Sequence, residues 1–171
     1  MRFIAFGVLV AAVAVASPVQ TKPPAFSQKQ PTQSALFKQL VGVVAARRDK
    51  FSPFLTSRNQ WALKQPYTLD RYSLQMMLRP SVDERTVLVT LQLKPLRDAT
   101  KISKDNLLRM MVQNREFGAA HFSYDLDGKR FEINQVIPAQ AISNATIDES
   151  FARIAAMARS TTSMWDDANW K

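Results

Sequence analysis

Residues 103–138, SKDNLLRMMVQNREFGAAHFSYDLDGKRFEINQVIP, decide the fold, because they contain one helix and two strands in consecutive order. Apolar residues recur at helical spacing in the first part of this stretch and predict a helix. Ser103 is its expected N-cap, and Gly118 is the expected left-handed residue at its end. The apolar positions are Ile102, Leu107, Leu108, Met111 and Val112.

After Gly118 the period changes from that of a helix to that of a strand. Apolar and polar residues alternate over 121–126 and again over 131–137, which is the pattern of two half-buried strands. Asp127 and Gly128 lie between them and predict a two-residue turn with positive φ. The sequence therefore predicts helix, strand, turn and strand in this region.

The chain before this stretch contains a further helix and a further hairpin. An apolar stripe over 36–45 predicts a helix that begins near Thr32 or Ser34. Residues 51–70 have no clean period and predict irregular structure with at most one short turn of helix or strand. Alternation over 72–79 and 86–93 then predicts an antiparallel hairpin.

The chain after residue 138 predicts a closing helix. Thr146 and Glu149 have the spacing of a capping box, and one apolar helical face follows, formed by Ile147, Phe151, Ile154, Ala158 and Trp165. The predicted order is α-β-β-α-β-β-α. This order indicates an α+β domain whose antiparallel sheet has helices packed on one face.

Composition narrows the classes of function. A chain of 171 residues fits a single domain. The absence of cysteine excludes disulfides, thiol catalysis and thiolate metal sites, and a single histidine argues against a zinc site. We predict no metal and no cofactor. The formal net charge of +9 indicates contact with acidic partners or a charge that keeps the protein soluble.

The N-terminal residues have the pattern of a leader. Arg2 precedes an apolar run over 3–15, and residues 14–16 have the small-x-small form of a cleavage site. We predict a signal peptide at 1–16, a Pro- and Gln-rich disordered linker at 17–33, a single domain at 34–171 and a secreted or periplasmic location. A membrane anchor and a buried element of the mature fold are the alternatives.

Three polar residues on one strand raise the question of catalysis. His121, Ser123 and Asp125 are the residue types of a hydrolase triad and share one strand face. Successive members on that face are ~6.6 Å apart along the strand, and no nucleophile elbow surrounds them. A solvated polar strand face is the simpler interpretation, and we predict that the protein is not an enzyme.

Two other motifs have ordinary structural explanations. Asp125, Asp127 and Glu132 could bind a hard cation, but the remaining ligands of an EF-hand loop are missing, so a turn is the better interpretation. The sequence 144–146 matches a glycosylation sequon, but the role of Thr146 is already explained by a helix cap.

Basic residues cluster between 47 and 64, interleaved with Phe51, Phe54 and Trp61. Such a mixture can bind nucleic acid or another anionic polymer. The alternative interpretation is a solvated helix end followed by core aromatics. The candidate polyanion-binding residues are Arg47, Arg48, Lys50, Arg58 and Lys64.

The order of the elements and several residues in the second half resemble a known fold. The residues are the run 107–110, Asn114, the alternating segments at 122–126 and 131–133, Gly128, and the Ile-Pro pair before an alanine-rich last helix. This pattern resembles the type III secretion chaperone-like fold, and within it the bacterial sensory transduction regulator (YbjN-like) group. The resemblance covers about residues 34–167.

The resemblance implies a small non-enzymatic protein that binds a polypeptide partner and forms a homodimer. The implied surface is the sheet face away from the helices, or a sheet edge. On that face Met77 and Leu88 are apolar residues among the polar Ser73, Gln75 and Gln92, and such islands can anchor a partner. We predict an exported, chaperone-like or regulatory protein-binding module. The alternative is a basic polyanion-binding protein of the cell envelope.

Overall fold

The computed structural model describes residues 30–47 and 50–170. Within these residues the chain forms six strands and four α-helices, with short 3-10 turns between some of them. In chain order the elements are α1 (Ala35–Ala45), β1 (Ser52–Leu55), β2 (Trp61–Leu69), β3 (Tyr72–Pro80), β4 (Thr86–Pro95), α2 (Lys104–Glu116), β5 (Ala120–Asp125), β6 (Arg130–Pro138), α3 (Asn144–Ser160) and α4 (Thr162–Trp165).

The six strands form one antiparallel sheet in the order β1-β2-β3-β4-β6-β5. Consecutive strands pair throughout except β4 and β5: β4 pairs with β3 and β6, and β5 pairs with β6 alone and lies at the edge. The α+β class, the β3–β4 hairpin and the β5–β6 hairpin are confirmed. The predicted order lacked two strands, because β1 and β2 occupy the segment that was predicted to be irregular.

The core lies between the sheet and the helices. Each strand turns alternate residues towards it, as in the register pairs Leu78 with Val89 and Leu91 with Ile133. Helix α3 covers this face with buried Ile147, Phe151 and Ile154. We call the opposite side of the sheet the outer face.

The predicted start of α1 near Ser34 and the predicted cap of α2 agree with the structure. Ser34 caps α1 by accepting from Phe37 N, and Ser103 caps α2 by accepting from Asn106 N. The third prediction is wrong by one turn, since Ser143 caps α3 and forms the capping box with Thr146. Thr146 is thus the inner residue of the box, because its hydroxyl accepts from Ser143 N at 2.9 Å.

The β5–β6 turn also differs from the prediction. Strand pairing ends at Asp125 and Arg130, so the connection has four residues, 126–129, and the positive φ is at Lys129 with a value of 48°. A Cβ at Gly128 would meet the Asp125 carboxylate and the Arg130 guanidinium, and both side chains would have to move to make room for it. By contrast, Gly118 has the expected positive φ, 62°, after α2.

A buried carboxylate joins the C-terminal segment to the sheet. Asp166 is 2% exposed and accepts from Lys94 Nζ at 2.8 Å and from the Tyr72 hydroxyl at 2.8 Å. Burial alone would raise the pKa of Asp166, but the hydrogen bonds from Lys94, Tyr72 and the Ala168 N–H outweigh it and lower that pKa below its ordinary value. The segment after α3 is therefore held by paired charge as well as by apolar packing.

Candidate interaction surfaces

The outer face of the sheet brings together the five residues predicted to bind a partner. Gln75 lies opposite Gln92, and Met77 lies opposite Thr90, in the register of β3 and β4. Leu88 lies two residues from Thr90, so Met77 and Leu88 are diagonal neighbours. Ser73 lies on the same strand face as these residues, because it precedes Gln75 by two positions and Met77 by four. The period-2 pattern in the sequence correctly placed all five on one surface.

A hydrogen-bonded polar network lies beside these residues on the outer face. The Thr90 hydroxyl donates to Asn134 Oδ1 at 2.6 Å, and Asn134 Nδ2 donates to Ser123 Oγ at 2.6 Å. The next pair along is Gln92, whose amide donates to Glu132 Oε1 at 3.0 Å. Side chains from the three neighbouring strands β4, β6 and β5 thus hold one another in place, which makes this face rigid and polar.

The centre of the outer face is a depression of about 520 Å³, which we call the outer cleft. Met77, Arg79, Thr90, Gln92 and Glu132 line it from the central strands. The β1–β2 connection borders it at one edge of the sheet and the β5–β6 turn at the other edge. The bordering residues are Phe54, Thr56, Ser57, Arg58, Tyr124, Asp125, Leu126 and Asp127.

Glu132 is the most perturbed charge in the outer cleft. Burial raises the pKa of its carboxyl above the ordinary value, and the nearby charge of Asp125 adds to this effect. The hydrogen bond from Gln92 and the positive charges of Arg79 and Arg130 act in the opposite direction but do not cancel it. The ionised form of the Glu132 carboxylate therefore lowers the stability of the folded protein.

Both edges of the sheet are poor templates for an added strand. At one edge, Thr56 N donates to Gln60 O on the side of β2. Backbone groups along β1 point alternately towards β2 and away from it, so those of Pro53, three residues earlier, point away from the sheet. Proline has no N–H to offer there. At the other edge, the Asn114 side chain accepts from Phe122 N at 2.6 Å and donates to Phe122 O at 3.4 Å. Each edge thus lacks a free donor at a position where a new strand would pair.

Helix α2 exposes its apolar stripe to solvent. It packs against β5 through a side that contains Met110, its one buried residue. The residues that predicted the helix face outward, with exposed fractions of 45%, 48%, 67% and 55% for Leu107, Leu108, Met111 and Val112. We call these four the α2 stripe. Their spacing predicted the helix, but it did not predict that this apolar face would be exposed to solvent.

The basic residues predicted to bind a polyanion are divided between two sides of the sheet. Arg47 contacts α3, where it forms an ion pair with Asp148 at 2.6 Å and lies 5.6 Å from the Phe151 ring centroid. Lys64 lies on the outer face, 4.9 Å from the ring centroid of Phe54. Arg58 borders the outer cleft, Lys50 is exposed, and Arg48 lies outside the described residues.

The three triad-type residues share the outer face of β5, but their hydrogen bonds lead elsewhere. Ser123 accepts from Asn134, and Asp125 accepts from Asp127 N at 3.2 Å and lies 3.9 Å from Arg130 Nε. Over residues 30–47 and 50–170, no group of three or more His, Asp and Glu side chains could hold a metal ion. In the same ranges no helix is both long and apolar enough to span a membrane.

Comparisons with known proteins identify the fold. No protein-family model matches the chain, and no curated protein matches it. A chain of the HopA1–SchA chaperone–effector complex matches with a TM-score of 0.51 and 15% sequence identity, covering 73% of this chain and 91% of that chain. A chain of the ExsC–ExsE complex matches with a TM-score of 0.47 and 9% identity, covering 77% and 92%. The protein has a type III secretion chaperone-like fold.

The predicted secreted or periplasmic location is contradicted by this likeness. Type III secretion chaperones are cytoplasmic proteins, and this chain shares their fold. The signal peptide predicted at 1–16, on which the location depended, lies outside the described residues, as does most of the linker predicted at 17–33. An apolar N-terminal run followed by small residues was therefore too weak a basis for assigning a compartment.

Proposed function

We propose that this protein is a non-enzymatic, chaperone-like module that binds a polypeptide partner non-covalently and acts as a homodimer. The observation that carries the proposal is the α2 stripe. Large apolar side chains at adjacent helical positions rarely stay in water on a monomer, because their burial is favourable by about 25 cal/mol per Å². The chaperone-like fold supports the choice of a protein as the molecule that covers them.

A second copy of the chain fits the α2 stripe. The four residues are arranged symmetrically about the point between Arg109 and Met110, so a two-fold axis there would place Leu107 and Leu108 over Met111 and Val112 of the other copy. Lys104 and Asp105 begin the helix, and Arg115 and Glu116 end it. With the axis at that point, Lys104 of one copy would lie opposite Arg115 of the other, so the pairing would rest on the apolar α2 stripe and not on charge.

The dimer can be tested with a charge placed in the stripe. Leu108→Asp combined with Met111→Asp should convert a dimer into a folded monomer, measured by sedimentation equilibrium and circular dichroism. The matched control is Val82→Asp, which adds a carboxylate at a residue that is 86% exposed in the β3–β4 connection. A wild-type protein that stays monomeric at 100 µM, or a double variant that stays dimeric, would refute the dimer.

The outer face is the proposed site for the polypeptide partner. It is rigid, it carries the diagonal pair Met77 and Leu88, and it lies away from α2 and α3, so both surfaces can be occupied together. Because Pro53 and Asn114 block strand addition at the two edges, the partner should be recognised by its side chains. Ser73, Gln75 and Gln92 supply polar contacts around the apolar pair.

A pull-down from an extract of the source cells, at low and at high salt, tests partner binding. We expect a defined protein that survives high salt, binds again when purified, and is lost with Met77→Asp or Leu88→Asp. Retention of nucleic acid or anionic polymer only at low salt would instead favour the polyanion function of Arg47, Arg48, Lys50, Arg58 and Lys64. Unchanged binding by both variants would remove the outer face as the site.

A finer assignment belongs to the same proposal. The residues that resemble the sensory transduction regulator (YbjN-like) group include Asn114, whose amide closes the β5 edge, and Gly128, which gives the β5–β6 turn its room. Both residues therefore serve the shape of the fold. Their structural roles support a place near that group without indicating a reaction.

A further inference from the structure

The two sides of the outer cleft carry opposite charge. Arg58 and Arg79 line the side formed by β1, β2 and β3, whereas Asp125, Asp127 and Glu132 line the side formed by β5 and β6. Arg58 and Asp125 lie towards the two opposite edges of the sheet, whereas Arg79 on β3 and Glu132 on β6 are separated by β4 alone. The central surface between them is neutral, with Met77, Thr90 and Gln92.

The positive side is available for a ligand. Neither Arg58 nor Arg79 takes part in an ion pair within the part of the chain that the structure describes. Arg58 is exposed and Arg79 is half-buried, so an incoming carboxylate could reach both guanidinium groups. Lys64, held over the Phe54 ring on the same side, adds positive charge nearby.

The negative side contains carboxylates that are only weakly neutralised. Arg130 is paired only loosely with Asp125, because its Nε lies 3.9 Å from Asp125 Oδ2, too far for a hydrogen bond, and that buried Nε has no hydrogen-bond partner in the described residues. Burial raises the pKa of Glu132, so its ionised form costs stability. A partner that brings a positive charge would offset this cost.

We propose that the outer cleft binds a polypeptide segment with an acidic side chain at one end and a basic side chain at the other, laid across the strands. The acidic end faces Arg58 and Arg79, the basic end faces Asp125, Asp127 and Glu132, and an apolar residue between them packs on Met77. The inference rests on the proposed function and names the chemistry of the partner. The volume of about 520 Å³ lies within the ~300–1,000 Å³ of typical ligand sites.

A polyanion fits the outer cleft less well than such a segment. A nucleic acid or acidic polymer that reached Arg58 and Arg79 would continue towards three carboxylates and be repelled there. A segment of uniform positive charge would meet the reverse problem. Opposite charges at the two ends satisfy both sides together, and the neutral centre removes any need for charge in between.

The inference can be tested with four capped synthetic peptides, three of one composition and one without charge. Two have their acidic and basic residues segregated, in either order along the chain, around a leucine centre; a third alternates them, and a fourth replaces them with Gln and Asn. Binding to the full-length protein is measured by fluorescence anisotropy. We expect at least one segregated peptide to bind about tenfold more tightly than the alternating and uncharged peptides, roughly the effect of one well-placed charge pair.

Charge reversal locates the effect. Arg58→Glu combined with Arg79→Glu should abolish the preference for the segregated peptide and should raise the affinity for a uniformly basic one. Lys38→Glu combined with Lys101→Glu is the matched control, because it changes the net charge equally at two exposed residues that do not line the outer cleft. This control should keep the preference.

Failure of the inference can be separated from failure of the proposed function. Equal binding of all four peptides would overturn the inference and leave polypeptide binding standing. An unchanged preference in the Arg58→Glu, Arg79→Glu variant, or binding of heparin but of no peptide, would also overturn it. Whether a protein partner exists is decided separately by the pull-down, since that experiment makes no assumption about charge order.

Discussion

Helices α2 and α3 both have an apolar face at helical spacing, but this face is buried in α3 and exposed in α2. In α3 the apolar face is buried against the sheet, and Ile147, Ile154 and Ala158 have no exposed surface. In α2 the apolar face is the one left in water, and Met110 on the other side makes the contact with the core. Helical periodicity therefore predicts that a helix has an apolar face, but the rest of the fold decides what covers it.

The largest effect that the comparison predicts is in α3. Ile154→Ala removes a fully buried side chain from the centre of the core and should lower the free energy of unfolding by about 3 kcal/mol. Urea denaturation followed by circular dichroism measures this loss. A loss below about 1 kcal/mol would mean that α3 is packed no better than α2, and the contrast between the two helices would fail.

The next effect tests the ionic attachment that follows α3. Asp166→Asn should lower the free energy of unfolding by about 2 kcal/mol at pH 7, because it removes the buried charge that accepts from Lys94 and Tyr72 and leaves Lys94 with Asp167 alone. The pKa of Asp166 is lowered in the folded state, so its contribution is present above the ordinary pKa and is lost as the pH falls through the folded value.

The wild-type protein and Asp166→Asn should therefore converge in stability as the pH falls below about 4. Asp148→Asn is the control, since Asp148 is a 63% exposed carboxylate on α3 paired with Arg47. It should cost less than about 1 kcal/mol. A constant difference between wild type and Asp166→Asn down to pH 2 would show that the role of Asp166 is steric.

A smaller effect probes how α2 is attached. Asn114→Ala removes both side-chain hydrogen bonds to the Phe122 backbone and should cost about 1.5 kcal/mol. Hydrogen exchange at the Phe122 amide should become faster. Gln113→Ala is the neighbouring control and should stay within about 0.5 kcal/mol, because the side-chain amide of Gln113 bonds to Glu116 on the exposed helix surface.

Most of the fold could be predicted from the sequence because its local signals agree. Ser103 was recognised as a cap, the first helix was predicted to begin near Thr32 or Ser34, and period-2 alternation placed Met77 and Leu88 on the outer face. Strands β1 and β2 were missed because Pro53 and Pro66 interrupt the pattern. Because proline has no N–H, a strand tolerates it only at a position where no neighbouring strand needs a donor. Which positions those are depends on the strand order, and the strand order is not visible in one sequence.

The outer cleft could be predicted only in part for the same reason. Arg58 and Asp125 are far apart in the sequence and face one cleft only because β4 pairs with β6, which leaves β5 at the edge opposite β1. No local pattern encodes that pairing. The α2 stripe was visible as a helical period, but the sequence alone does not distinguish a face covered by the same chain from one covered by another.

The smallest effect is the sharpest test of the difference between α2 and α3. Leu108→Ala should change the stability of the monomer by less than about 0.5 kcal/mol, because nearly half of that side chain is already in water. Thermal melts at 1 µM and 100 µM should separate folding from association: the variant should match wild type at the low concentration and melt lower at the high one. A loss of 2 kcal/mol at 1 µM would place Leu108 in the core of the monomer and give α2 the same role as α3.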